Sequence, residues 1–221
     1  LKKAIQYIIS IHIPIILTVA LPLILGWIYP SIFTPVHVIF LELIMGPTCS
    51  IVYENEPLEK NSMLEKPRLM TNTFFNLKEL TISIFQGLAI TAGTLFIYQI
   101  AVSKGYDEDT TRSLVFTTLI FSNLFLTLVN RSFYFSVWSA LKNRNVLLRI
   151  MMIATLAMLT MILFIPAFSS LFKMASLNGI QISWTIAVAL LSVSWFEVYK
   201  LGKRRKQKLM KLNPASYSQI V

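Results

Sequence analysis

Six long apolar segments are the feature that most constrains the fold of this 221-residue chain. None of them shows the alternation of a half-buried strand, and in lipid only helices or closed barrels satisfy every backbone polar group. At about 20 residues for each crossing, six helices leave no loop large enough for an independent domain of about 50 residues. We therefore predict an all-α polytopic membrane protein with six transmembrane helices. The segments cover residues 5–25, 36–52, 80–102, 114–129, 147–168 and 180–199.

The composition supports a membrane protein and excludes an ordinary soluble enzyme. Hydrophobic residues make up 55% of the chain and charged residues only 14%, whereas soluble domains carry about 25% charged residues. The single cysteine, Cys49, excludes an internal disulfide. Two histidines in the whole chain argue against a closed, four-ligand structural zinc site.

The distribution of basic residues predicts the orientation, because Lys and Arg concentrate on the cytoplasmic side of membrane proteins. Six crossings place both termini on one face, and the opposite face carries only Lys104, Arg112 and Lys173 of the 20 basic residues. We predict that both termini are cytoplasmic. The net charge of +10 therefore reflects topology and calls for no nucleic-acid partner. We divide the chain into a six-helix membrane domain, residues 1–202, and a basic cytoplasmic tail, residues 203–221.

Glu42 is the strongest candidate for a functional residue. An ionisable side chain at the bilayer centre costs at least about 2.5 to 3.5 kcal/mol on insertion scales, and Glu42 is the only carboxylate well inside a segment. Gly46 and Pro47 follow it, and Pro47 has no N–H to satisfy the carbonyl of Leu43. Unwound turns with free carbonyls beside a carboxylate coordinate cations in transporters. The pattern predicts a cation or proton site with Glu42 as its metal ligand.

Polar positions on two other segments are expected to converge on Glu42. On the first segment Pro14 frees the carbonyl of Ser10, and His12 lies about half a turn away. On the fourth segment Asn123 leads a polar face. The alternative is that such small and polar residues only support close helix packing in lipid. The polar stripes are Gln6, Ser10, Pro14 and Thr18 on the first segment, and Asn123, Thr127 and Asn130 on the fourth.

Three stretches resemble the membrane helices of type II, calcium-pump-like P-type ATPases. Residues 36–68, VHVIFLELIMGPTCSIVYENEPLEKNSMLEKPR, resemble the sixth helix and the cytoplasmic loop after it. Residues 1–17, LKKAIQYIISIHIPIIL, resemble the fifth helix, and residues 116–132, FTTLIFSNLFLTLVNRS, the eighth. The resemblance implies that the six helices are the last six of a ten-helix pump from a bacterial subgroup.

The same resemblance implies roles for individual residues. Glu42 takes the place of an asparagine ligand of the sixth helix, and Gly46 that of the aspartate that binds both calcium ions. His12 replaces an asparagine ligand of the fifth helix, Ile15 a glutamate ligand, and Asn123 the glutamate of the eighth helix. One carboxylate remains, whereas calcium takes six to eight oxygen ligands. Three identities of the transported ion therefore stay open: a monovalent ion, a proton, or a cation that binds Glu42 together with ligands from other helices.

The implied function is the ion-pathway part of an ATP-driven cation pump in a bacterial plasma membrane. The DKTGT, TGE and GDGxND motifs of the family are absent, and the only aspartates, Asp107 and Asp109, lie in a predicted outer loop. We therefore assign no catalytic residue and no cofactor to this chain. In the complete pump, ATP and Mg²⁺ are expected to bind its cytoplasmic phosphorylation, nucleotide and actuator domains. The expected partners of this chain are those domains, the other helices of the pump, the transported cation and lipid. The alternative is a stand-alone, non-enzymatic membrane subunit, small transporter or scaffold.

Overall fold

A computed structural model confirms the all-α architecture. It describes residues 2–48, 52–53, 77–131 and 145–212, and no strand occurs within these ranges. Five of the described helices are long and apolar enough to cross a membrane. The chain is therefore an integral membrane protein. The described helices are α1 (Lys2–Ile24), α2 (Pro35–Pro47), α3 (Leu77–Ser103), α4 (Glu108–Asn130), α5 (Val146–Phe164), α6 (Pro166–Leu171) and α7 (Gly179–Leu212).

The regular α-helix of the second predicted segment is short, and the described residues that follow it are helical as well. α2 has 13 residues, which is about 20 Å at 1.5 Å per residue and less than the roughly 30 Å of a hydrocarbon core. It begins at Pro35, because the first helical position needs no N–H donor, and it ends at Pro47. Thr48 and Val52 have the wider hydrogen bonding of a π-helix and Tyr53 is α-helical, which agrees with the predicted continuation to Val52. Residues 49–51 lie outside the described residues.

Pro166 divides the fifth predicted segment. A residue that precedes proline is disfavoured in the helical region, and Ile165 is extended, with φ −95° and ψ 117°. The 19-residue α5 therefore ends at Phe164, and Pro166 opens the six-residue α6. The single helix predicted for residues 147–168 is thus a membrane span followed by a short separate helix.

The central helix of the bundle is α4, which contacts α1, α3, α5 and α7. Within the described residues, 83% of its most apolar stretch is buried, against 39% or less for the other four candidate spans. Its buried side includes many threonine, serine and asparagine residues. Small and polar side chains of this kind permit close approach and interhelical hydrogen bonds in lipid.

Gly87 allows α1 and α3 to pack closely. A Cβ at this position would lie 2.7 Å from Cβ of Ile13 and 2.9 Å from the carbonyl oxygen of Ser10. Both distances are far below normal contact, so only glycine fits between the two helices as they stand.

Three interhelical connections meet at one end of the bundle. The buried guanidinium of Arg112 donates to the carbonyl of Ile32, at 2.7 Å, and to the carbonyl of Lys173, at 2.6 Å. The first carbonyl precedes α2 and the second follows α6. The hydroxyl of Tyr29 donates to the carbonyl of Tyr106 in the α3–α4 connection, at 3.0 Å. These contacts place the α1–α2, α3–α4 and α6–α7 connections together.

Two lysines bind the other end of α4. Lys3 donates to the carbonyl of Arg131, at 2.8 Å, and Lys200 to the carbonyl of Val129, at 2.9 Å. Cations stabilise a helix C-terminus because its last carbonyls carry partial negative charge. The start of α1 and the end of α7 therefore lie at the same end of the bundle, as an even number of crossings requires. The assignment of that end to the cytoplasm stays a prediction.

The predicted boundary at residue 202 falls inside a helix, because α7 continues without a break to Leu212. Residues 213–221 of the predicted tail lie outside the described residues. The division into a membrane domain and a basic tail stays a prediction.

Candidate cation site

The structure brings two of the predicted site residues into direct contact. Nε2 of His12 lies 3.2 Å from Oε1 of Glu42, so the pair joins α1 to α2. The side chains are 38% and 49% exposed, respectively. Within the described part of the chain, the pair is thus open on one side instead of deeply buried as the position of Glu42 in the sequence suggested.

A hydrogen bond on the far side of the ring fixes the orientation of His12. Its Nδ1 lies 2.8 Å from the carbonyl oxygen of Ile8, one turn earlier on α1. Because a carbonyl oxygen can only accept, Nδ1 carries the hydrogen and donates it. Nε2 is therefore the nitrogen that faces Glu42.

Prolines interrupt the regular hydrogen bonding of both helices near this pair. Pro14 lies inside α1, two residues after His12, and Pro47 is the last residue of α2. Neither nitrogen carries a hydrogen, so the carbonyls of Ser10 and Leu43 lose their usual helical donors. The backbone next to Glu42 therefore offers the carbonyl oxygen of Leu43 as a further oxygen ligand.

Leu43 and Gly46 lie on the open side of α2. The side chain of Leu43 is 57% exposed. A Cβ at Gly46 would meet no heavy atom within 4 Å, so packing within the described residues does not require glycine there. Both residues stay candidates for the cation site because of their position beside Glu42.

Asn123 lies in a different environment from the His12–Glu42 pair. Its side-chain oxygen accepts a hydrogen bond from the hydroxyl of Tyr7, and Asn123 is only 2% exposed. Tyr7 and His12 are five residues apart, which places them about 140° apart around α1. Asn123 also lines a cavity of about 10 Å³ together with Thr48 and Thr127, which is close to the smallest volume that holds one water molecule.

Ser10 belongs to a buried polar network between α1, α3 and α4. Its hydroxyl lies 3.0 Å from Oε1 of Gln86, and Nε2 of Gln86 donates to the side-chain oxygen of Asn130 at 3.0 Å. All three residues are buried. The predicted convergence of three polar helices therefore divides into the open His12–Glu42 contact and a buried hydrogen-bonded network.

Sequence reasoning missed the contributions of Tyr7 and Gln86. Gln86 had a detectable signal, because it is an uncharged polar side chain in the middle of a long apolar segment. Tyr7 had none, since a tyrosine near the end of a membrane segment is also typical of an interfacial anchor.

Comparison with known proteins places the chain in a family. The family model that describes the C-terminus of cation transporting ATPases matches residues 30–202. The chain belongs to this family. The resemblance to calcium-pump-like P-type ATPases that the first 68 residues and the fourth segment suggested is thereby confirmed.

Two curated relatives support the same placement of this cation-ATPase C-terminal chain. Calcium-transporting ATPase 1 of Bacillus cereus is 25% identical over 92% of the chain and 24% of its own length. Calcium-transporting ATPase lmo0841 of Listeria monocytogenes is 25% identical over 93% of the chain and 23% of its own length. The chain thus spans about a quarter of the length of the curated relatives it matches.

Proposed function

We propose that this chain is the ion-pathway part of an ATP-driven cation pump, with a cation site at the His12–Glu42 pair. The observation that carries the proposal is the contact between these two side chains, at 3.2 Å, on helices that Pro14 and Pro47 interrupt. An ionisable pair in an apolar helix bundle is costly, and such residues typically mark ion pathways. Family membership supports this interpretation because relatives of the chain are named as calcium-transporting ATPases.

The proposed site consists of groups that would bind the cation and of contacts that hold the surrounding helices in place. Glu42 supplies the charge, and the carbonyl of Leu43 and the open backbone at Gly46 lie beside it. The Tyr7–Asn123 hydrogen bond and the Ser10 network hold α1, the helix that carries His12, against α3 and α4. Helices of the same pump outside this chain would cover the open side of the pair and add ligands.

The energy for transport would come from parts of the pump outside this chain. The curated relatives are about four times as long as the stretch that matches them. We propose that phosphorylation, nucleotide and actuator domains of the same polypeptide bind ATP and Mg²⁺ and drive the helices. The pump would lie in a bacterial plasma membrane, with both ends of this chain in the cytoplasm.

Cation-stimulated phosphorylation of the complete pump by ATP tests this function. Glu42→Gln keeps the size and hydrogen bonding of the side chain but removes the charge. An interaction with a charged group contributes about 1.5 to 3 kcal/mol, and 1.4 kcal/mol is a tenfold change in affinity. We expect the cation concentration for half-maximal phosphorylation to rise by at least about tenfold.

Glu79→Gln is the matched control, because Glu79 is a carboxylate in the first turn of another helix, α3, and is not one of the two residues of the His12–Glu42 contact. It should leave the cation dependence of phosphorylation unchanged. Membrane insertion and expression level of both variants are compared with those of the parent. A Glu42→Gln pump with the parent's cation dependence would reduce Glu42 to a structural role.

A further inference from the structure

We propose that the His12–Glu42 pair binds a divalent first-row transition metal ion of the Zn²⁺ class in preference to Ca²⁺. This inference rests on the proposed function, since it names the class of ion that the same site takes. It is carried by the chemistry of the two ligands, the orientation of the imidazole and the separation of the two ligand atoms.

The ligand types separate the two classes of ion. Ca²⁺ takes oxygen ligands, typically six to eight with several carboxylates. An imidazole nitrogen suits Zn²⁺, Ni²⁺, Cu²⁺ and Fe²⁺, whereas it is a poor substitute for oxygen around Ca²⁺. Nε2 of His12 is one of the two side-chain atoms that meet at this site. A Ca²⁺ ion here would lose an oxygen position to a nitrogen, while a Zn²⁺ ion would gain a preferred ligand.

The orientation of the ring matches that of a metal-binding histidine. Metal-ligating histidines almost always donate the hydrogen of the second ring nitrogen to a carboxylate, a backbone carbonyl or water. Nδ1 of His12 donates to the carbonyl of Ile8 at 2.8 Å. This bond keeps the hydrogen on Nδ1 and directs Nε2 toward Glu42, so a metal ion that takes the place of a proton between Nε2 and the carboxylate would meet a ring already oriented for coordination.

The separation of the ligand atoms fits one small ion bound by both. Nε2 of His12 and Oε1 of Glu42 are 3.2 Å apart. With zinc bonds of about 2.05 Å to nitrogen and 2.1 Å to oxygen, this separation gives a ligand–metal–ligand angle of about 101°, near the tetrahedral value. The pair can therefore chelate a single ion without movement of α1 or α2.

The site is reachable and only half complete. Both side chains are partly exposed, at 38% and 49%, so an ion can approach them from the uncovered side. Within the described ranges of the chain, no third histidine, cysteine, aspartate or glutamate joins the pair. The other positions around the ion would be taken by water or by ligands from the rest of the pump, which is suited to release of the ion during transport.

The second histidine of the chain provides a contrast. His37 has no exposed surface, and its ring packs against the rings of Phe33 and Phe116, each with centroids 5.5 Å away. A metal ion has no path to this imidazole. Zn²⁺ that binds to an imidazole of the folded chain therefore reports on His12.

Equilibrium dialysis of the 221-residue chain in detergent against Zn²⁺ tests the inference. The chain is purified with a histidine-free tag in a Cys49→Ser background, so that neither tag nor thiolate binds the metal. We expect one Zn²⁺ per chain that a large excess of Ca²⁺ does not displace. His12→Gln and Glu42→Gln should each weaken Zn²⁺ binding by about tenfold or more, and Glu79→Gln should not. Both site side chains are partly exposed, so these variants are expected to fold, which gel filtration checks.

Three results would overturn the inference: no Zn²⁺ bound by the parent chain, unchanged binding by His12→Gln, or displacement of Zn²⁺ by an equal concentration of Ca²⁺. Co²⁺ provides a second readout, because loss of an imidazole ligand changes its visible absorption spectrum. The test requires no ATP, so its failure is distinct from failure of the proposed function. A pump whose phosphorylation depends on Glu42 but whose isolated chain rejects Zn²⁺ would keep the proposed function and lose this inference.

Discussion

The contact between α1 and α3 at Gly87 permits a prediction about stability. In Gly87→Ala the new methyl carbon would lie 2.7 Å from Cβ of Ile13 and 2.9 Å from the carbonyl oxygen of Ser10. Normal contact between carbon atoms begins at about 3.5 Å, so the helices must separate by about 0.8 Å. Neither neighbouring atom can move away by a side-chain rotation, because one is a backbone atom and the other is a Cβ.

The expected change in the free energy of unfolding combines two destabilising contributions and one stabilising contribution. Overpacking costs about 1 to 3 kcal/mol. Separation of α1 from α3 also weakens the contact between Ser10 and Gln86, which lies next to Gly87 and contributes about 0.5 to 1.5 kcal/mol. Alanine regains about 1 kcal/mol over glycine in helix propensity. We expect a net loss of about 1.5 kcal/mol, which for a chain of this size lowers the unfolding midpoint by roughly 3 to 6 °C.

Gly202→Ala provides the matched control. Gly202 lies in α7, and a Cβ there would meet no heavy atom within 4 Å. The same substitution should therefore leave the unfolding midpoint unchanged or raise it. Thermal unfolding of both variants in detergent, followed by tryptophan fluorescence, measures the difference. A Gly87→Ala midpoint equal to or above that of Gly202→Ala would refute the close packing of α1 on α3.

Two further predictions concern topology and the connections between helices. Single cysteines at Lys104 and Lys142, in a Cys49→Ser background, should react with an impermeant thiol reagent from opposite sides of the membrane, and labelling from one side only would contradict the predicted crossings. Arg112→Gln removes the guanidinium that binds the buried carbonyl of Ile32 and the partly buried carbonyl of Lys173, so it should destabilise the chain in thermal unfolding by about 2 to 4 kcal/mol. Arg112→Lys keeps the charge but lacks the planar fork, and it should recover only part of that loss; full recovery would show that charge alone matters.

The sequence by itself determined the class of fold, because long apolar segments in lipid have almost no alternative to helices. It also identified the family from residues 1–17, 36–68 and 116–132, and it selected Glu42 as a candidate, since a carboxylate inside an apolar segment stands out by its energetic cost alone. Pro47 and Pro166 each predict an interruption of a helix, because proline has no backbone N–H and disfavours the helical conformation of the residue before it. Only the first was recognised in the sequence, and the second became clear from the extended backbone at Ile165.

The tertiary structure decided which polar residues meet. Helical periodicity places residues on a common face, but it does not say which neighbouring helix that face contacts, because that depends on contacts between distant parts of the chain. Ser10 and His12 are two residues apart, yet Ser10 faces Gln86 on α3 and His12 faces Glu42 on α2. Asn123 bonds to Tyr7, 116 residues away in sequence. The pairing of an imidazole with a carboxylate, on which the proposed metal preference rests, therefore exists only because the tertiary structure brings Glu42 of α2 next to His12 of α1.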